Sequence, residues 1–418
     1  MAAAGSLAPL RHSAFRWLLT GRTASFLGNA VAPVALAFAV LDLAGSATVL
    51  GLIIACRTVP QVIFMLLGGV ISDRFPRTQV IVVANCLGAV TQGISAILLI
   101  TGHAELWQLA VIQAVNGATT AFAFPAGAGL TPQTVPNAIL QQANALLRLA
   151  INSALIGGAV IAGLLVASVG SGWAIAFDAV TFAIGAFAIA RIKLVSEEAE
   201  KDATGAVAPR TSMLTELREG WREFSSRRWL WSVVVAFSCI NAADSGAISV
   251  IGPLVADGSI GRAAWGAVLA ALAAGMALGA LVTLRLRPRR NLFVGMLGVF
   301  GTLPMLIAMA VDPSLPLLLI LAVISGLGIE VFATNWDLSM QQHVPLAALS
   351  RVYSYDALGS ILIIPLGQVA AGPLTAAFGA ETTLLLAAGV IAVAIVATLS
   401  VSSVRTLERT DLPIHSAG

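Results

Sequence analysis

Arg22, Arg57, Arg148, Asp244 and Glu330 each interrupt a long apolar run of this 418-residue chain. A charge at the centre of a bilayer costs about 2.5–3.5 kcal/mol on insertion scales, so a side chain retained there is a functional candidate by default. Glu330 is the first candidate for a site that takes up and releases a proton and Asp244 the second, because a carboxylate that alternately loses and regains water can bind and release one. The competing account is that these charges pair with one another and only hold helices together. No constellation for covalent or metal chemistry stands beside them. His12, His103, His343 and His415 are scattered through predicted loops and tails, and Cys56, Cys86 and Cys239 sit in apolar runs without paired spacing. No phosphate-cradling Walker pattern occurs. The expectation is therefore a protein with no enzymatic activity, no metal and no cofactor.

The elements that must hold these charges are membrane spans. Charged residues make up 10% of the chain and hydrophobic residues 58%, against about 25% charged in soluble domains, and mean hydropathy is +0.93. The fold class expected is an all-α membrane protein. A span needs about 20 apolar residues, and the runs place twelve, at roughly 14–41, 47–72, 79–101, 105–127, 138–168, 172–192, 229–256, 262–284, 291–311, 315–338, 347–376 and 381–403. Arg11, Arg74, Arg77, the 191–228 segment, the 285–290 run, Arg351, Arg405 and Arg409 then fall on one side, and only Arg262 on the other. By the positive-inside rule both termini are cytoplasmic and the chain is a multi-pass protein of the cell inner (plasma) membrane. No small-residue cleavage site follows residues 1–13, so the first span is expected to be retained. The net charge of +3 sits in inside loops and does not point to nucleic acid. Trp17, Trp107, Trp173, Trp229, Trp231, Trp265 and Trp336 lie near predicted span ends, where an indole prefers the interface.

Residues 193–228 form the one long inside segment. Its first part reads as a flexible linker. Its second part places Leu214, Leu217, Trp221 and Phe224 at three- and four-residue spacing, as on an amphipathic helix. The chain thus divides into 1–192, a first six-helix bundle; 193–228, the linker; and 229–418, a second bundle with a short tail. An internal repeat supports two halves. Val135-Pro136 recurs as Val344-Pro345 at an offset of 345 − 136 = 209, and without gaps Gly158 matches Gly367, Gly163 matches Gly372, and Gly170 matches Gly379. Arg16-Trp17-Leu18 and Asn29-Ala30 recur as Arg228-Trp229-Leu230 and Asn241-Ala242, at an offset of 212.

The turn Gly69-x-x-x-Asp73-Arg74-x-x-Arg77 between the second and third spans resembles the cytoplasmic signature of the major facilitator superfamily. Phe124-Pro125-Ala126, Phe177-Asp178-Ala179-x-Thr181-Phe182, Gln342-His343-Val344-Pro345 and Asp356-Ala357-Leu358-Gly359-Ser360 are similar to its twelve-helix branch of enterobactin exporters and macrolide-efflux proteins. That resemblance covers nearly all of residues 14–403. It implies two pseudo-symmetric six-helix bundles around a central cavity, with Gly69, Asp73, Arg74 and Arg77 forming a cytoplasmic gate motif. Arg57, Arg148, Arg22, Asn29, Asn241, Phe26 and Phe237 are then candidates to line the cavity. Asp178, on a peripheral helix of the family fold, reads as structural, and Asp337 and Asp356 as gating or inter-helix bonding groups. Many proton-coupled relatives carry Arg-x-x-Gln-Gly in the fourth helix, where this chain has Gln113-Ala-Val-Asn116-Gly117, so Gln113 and Asn116 join the candidates. The helix-5 pattern, which usually contains Gly-Pro, reads Gly157-Gly158-x-x-x-x-Gly163.

The function implied is secondary export of a bulky amphipathic small molecule (an antibiotic, a siderophore or a related natural product) by proton antiport with alternating access, in a monomer. Uptake or uniport of a small organic solute by the same fold is the alternative within that class. A scaffold or sensor that transports nothing is the alternative outside it.

Overall fold

The computed structural model describes residues 7–192, 221–285 and 288–409, and every long element among them is helical. The leading helix α1 (Ser13–Ala44) ends at Gly45, whose left-handed conformation (φ 57°) lets its N–H reach the Leu41 carbonyl at 2.8 Å. There follow α2 (Ala47–Arg74), α3 (Arg77–Ile100), α4 (Leu106–Ala128), α5 (Leu140–Ser168) and α6 (Ser171–Ala190). α1 packs against α5 and α6, α2 against α4, and α3 against α4 and α6. Small residues set these seams. A Cβ on Gly28 of α1 would lie 2.2 Å from Asp178 Oδ1 of α6, and one on Gly117 of α4 would lie 1.9 Å from the Arg57 carbonyl of α2. Bare backbone is what lets helices approach this closely where no water drives them together.

The later helices are more broken than the hydropathy pattern predicts. α7 (Arg228–Ser245) runs into a π-helical turn, Gly246–Ile251, before α8 (Gly252–Gly258). Pro253 has no N–H to continue the ladder there. α9 (Arg262–Arg285) is continuous, but the predicted span 291–311 is two helices, α10 (Asn291–Val299) and α11 (Thr302–Val311). Pro304 leaves the Phe300 carbonyl without its usual donor at that joint. α12 (Leu315–His343) carries Glu330. α13 (Leu346–Ile361) stops just ahead of Pro365, and α14 (Ile364–Ser400) restarts with that proline in its first turn. A short α15 (Ser402–Arg405) ends the regular structure among the described residues. Ten stretches among the described residues are long and apolar enough to cross a membrane. The twelve predicted spans differ from these ten at two places. α4 stands outside the set, and 351–400 counts once although Gly379 breaks α14 with φ 83° and ψ 161°.

The chain resolves into two compact units. One holds α1–α6 with Ser249–Ala270 and Gln368–Pro373, and the other holds the remaining helices. Large apolar side chains such as Ile97, Leu281 and Val393 are more than half exposed, which suits a hydrocarbon solvent. The tryptophans divide. Trp107, Trp173 and Trp231 are exposed near helix ends as an interfacial belt would have them. Trp229, Trp265 and Trp336 are buried instead, with Trp229 edge-on to Trp336 at 5.7 Å. Their indoles fill gaps between helix ends, where packing outweighs the interface.

Candidate functional site

α1 brings most of the polar chemistry of the first unit together. Arg22, Ser25, Phe26 and Asn29 recur at three- and four-residue spacing and so share one face of it. Asn29 donates to the Ser25 carbonyl at 2.8 Å and accepts from Arg57 Nη2 at 3.1 Å. Arg57 is thus held by a neutral amide, with no carboxylate in ion-pair range among the described residues. Behind Asn29, Asp178 of α6 is fully buried and takes a 2.6 Å hydrogen bond from Gln92 of α3. Its Oδ1 has no hydrogen-bond partner. Gln113 and Asn116 of α4 are also buried; Asn116 accepts from Thr91 at 3.1 Å, while Gln113 Oε1 is unpartnered.

Asn29 also borders a cavity of about 180 Å³, lined among others by Arg22, Phe26, Asn85, Thr119 and Phe182. Arg22 lies over the Phe26 ring, 5.4 Å from its centroid. Arg148, by contrast, is exposed on α5 and is not among the described lining residues of this cavity. Ser25, Asn85, Thr119 and Thr120 were not singled out from the sequence, and Phe182 stood there only within a family-like motif. A signal existed for the threonines, which follow Asn116 by three and four residues and donate to its carbonyl at 2.9 and 2.8 Å. In the predicted gate motif, the side chains of Gly69, Asp73 and Arg74 lie outside the described residues. Arg77, at the start of α3, donates from Nη1 to the Gly129 carbonyl beyond α4.

The second unit holds the other candidates. Asn241 of α7 donates to the Ser360 carbonyl at 2.9 Å, and Phe237 stacks on Phe332 with centroids 3.9 Å apart. Glu330 is partly buried on α12 and accepts from Thr334 Oγ1 at 3.4 Å. Asp244, in the last turn of α7, is partly buried beside the π-helical turn, 86 residues before Glu330 (330 − 244) and on a different helix. The acids near the other helix ends tie α12 to α13: Trp336 donates to Asp356 at 3.1 Å and Tyr353 to Asp337 at 3.2 Å. Of the predicted amphipathic helix, Leu214 and Leu217 lie outside the described residues. Trp221 and Phe224 are helical and meet the Tyr355 ring at 5.6 and 5.8 Å.

The chain is similar over most of its length to known transporters. The multidrug efflux pump Tap of Mycolicibacterium fortuitum is 29% identical over 374 residues, which cover 86% of this chain and 88% of the pump. Among solved structures, the nucleoside transporter NupG matches with a TM-score of 0.75 at 14% identity, covering 92% of this chain and 98% of its own. A bacterial homologue of the human lysosomal transporter Spinster matches with a TM-score of 0.74, also at 14% identity, covering 95% and 98%. At that identity the two structures establish the shared fold alone. The profile of the Major Facilitator Superfamily matches residues 18–354. This chain is a multi-pass membrane transporter and belongs to the major facilitator superfamily.

Proposed function

We propose that the protein is a secondary exporter of bulky amphipathic small molecules, driven by proton antiport through alternating access. The observation that carries the reading is the similarity to a multidrug efflux pump along 86% of the chain. The polar, aromatic-walled cavity of the first unit supports it, since a cargo with both apolar and polar parts fits such walls. Glu330 is the coupling carboxylate in this reading and Asp244 the second. Arg57, Asn29, Asn241, Phe26 and Phe237 belong to the cargo path with Arg22, and Gly69, Asp73, Arg74 and Arg77 to a gate at the cytoplasmic face. The protein sits as a monomer in the plasma membrane with both termini in the cytoplasm. Residues 1–192 and 229–418 are the two halves that alternate, and 193–228 joins them.

Expression in a drug-sensitised host tests the reading. Cells carrying the protein should accumulate less of at least one amphipathic antibiotic or dye, and a protonophore should abolish the difference. Unchanged accumulation across a broad panel would overturn it.

A further inference from the structure

Arg22 is placed as a ligand-binding cation would be. It stands 22 − 13 = 9 residues into α1, about 13 Å along the helix axis from its start. The side chain is partly buried and lies over the Phe26 ring, with no hydrogen bond or ion pair to it among the described residues. A guanidinium carries five N–H donors and stays charged, and charge held away from water is costly unless it is paired. None of the described cavity-lining residues is acidic. The buried acid among the described residues of this unit, Asp178, is turned to Gln92 and feels the charge of Arg57. The neighbouring hydroxyls donate elsewhere, Thr119 and Thr120 to the Asn116 carbonyl and Ser25 to Asn85 at 3.4 Å, and among the described residues none of them accepts from Arg22.

The backbone leaves room for the guanidinium. A Cβ on Gly127 of α4 would lie 2.6 Å from Arg22 Nη1, so any side chain there would displace it. The rest of the wall is uncharged, with the apolar side chains of Phe26, Phe182, Ile81 and Ile189 beside the neutral polar groups of Asn29 and Asn85. About 180 Å³ holds a carboxylate or phosphate with part of an apolar body. We propose that Arg22 is the anchor of an anion-binding subsite in the first unit, which takes the carboxylate or phosphate of an amphipathic molecule while its apolar part lies against Phe26 and Phe182. This rests on the exporter reading for the identity of the cargo, and on the cavity alone for the anion. A lipid headgroup and a cytoplasmic solute present the same chemistry.

The test uses the full chain in nanodiscs of phosphatidylcholine, with dansylated undecanoate as the probe and its methyl ester as the uncharged control. The carboxylate should bind about tenfold tighter than the ester, as expected for a charge-assisted, forked hydrogen bond. Arg22→Gln should abolish that gap, Arg22→Lys should keep part of it, and Gly127→Leu should weaken the carboxylate. Equal affinities in the parent protein, or a gap that survives in Arg22→Gln, would overturn the proposal. Repeating the titration in phosphatidylglycerol separates the two sources. Weaker carboxylate binding in the parent but not in Arg22→Gln assigns the site to lipid, and unchanged binding assigns it to a solute; both retain the anion subsite. Efflux of neutral and cationic compounds by the parent is measured alongside. A carboxylate gap without efflux removes only the exporter reading, and efflux without the gap removes only the subsite.

Discussion

The two best-defined carboxylates have different surroundings and should respond differently to neutralisation. Glu330 is partly open on α12, with a 3.4 Å contact from Thr334, and a Cβ on Gly279 of α9 would lie 2.8 Å from its own Cβ. Its backbone is fixed by that close seam while its side chain stays only partly buried. Glu330→Gln should leave ligand binding measurable and remove the pH dependence of transport in proteoliposomes. Normal pH-driven uphill efflux by the Gln variant would make Glu330 structural and turn attention to Asp244. Asp178 is fully buried. Asp178→Ala should strand the Gln92 amide and cost about 1–3 kcal/mol, read as a lowered unfolding temperature in detergent, with Asp178→Asn recovering most of the loss. The helices that carry these charges were legible in the sequence, because each charge stands inside a long apolar run. The partners of the charges were not. Pairing with an acid was the competing account for Arg57, and the structure supplies Asn29, because hydrogen bonding across two helices depends on rotation about each axis, which hydropathy does not encode.

At the level of elements, the repeat in the sequence is realised as geometry. Gly170 and Gly379, matched at the offset of 209, have nearly the same backbone conformation, φ 94° with ψ 165° and φ 83° with ψ 161°. Gly158 of α5 closes on Ala30 of α1, and its counterpart Gly367 of α14 closes on Ala242 of α7, which is the counterpart of Ala30 at the offset of 212. One helix–helix contact is thus built twice from equivalent residues. A Cβ at Gly367 would fall 2.0 Å from the Ala242 carbonyl, whereas among the described residues nothing beyond its own turn of helix lies within 4 Å of one at Gly389 on the same helix. Gly367→Val should therefore lower the yield of folded protein and destabilise what remains by about 1–3 kcal/mol, the usual scale of overpacking. Gly389→Val should be tolerated. Equal yield and thermal stability of the two variants would refute the account of this seam. Glycine spacing carried the seams in readable form. The broken helices were harder to read, because Pro253, Pro304 and Pro365 lie inside apolar runs whose hydropathy is indifferent to a missing N–H.

On the scale of the whole molecule, the compact units do not follow the midpoint of the sequence, since Ser249–Ala270 and Gln368–Pro373 cluster with α1–α6. Small residues make these contacts as well: a Cβ on Gly372 would lie 2.2 Å from Thr48 Cα, and one on Gly163 would lie 2.8 Å from the Ala263 carbonyl. Beside them, Arg262 at the start of α9 bonds both oxygens of Asp42, one at 2.9 Å, reaches Asp257 at 2.7 Å, and lies over the Phe38 ring at 5.0 Å. The sequence showed Arg262 only as the lone basic residue on the predicted outer side. Its partner Asp42, 220 residues away, was not inferable from any local pattern. A half-exposed cluster of this kind stabilises a fold by little, about 0.2–1 kcal/mol per pair, so Arg262→Ala should barely move the unfolding temperature. It should matter for transport if these contacts open during each cycle. A loss of about 1 kcal/mol from one conformer shifts a two-state equilibrium roughly fivefold. The variant should then show a changed transport rate at low ionic strength that converges on the parent in high salt, where the parent's own ion pairs are screened. Exchanging the charges, Asp42→Arg with Arg262→Asp, should restore part of the difference. Identical rates for parent and Arg262→Ala at every salt concentration would reduce the cluster to a static brace.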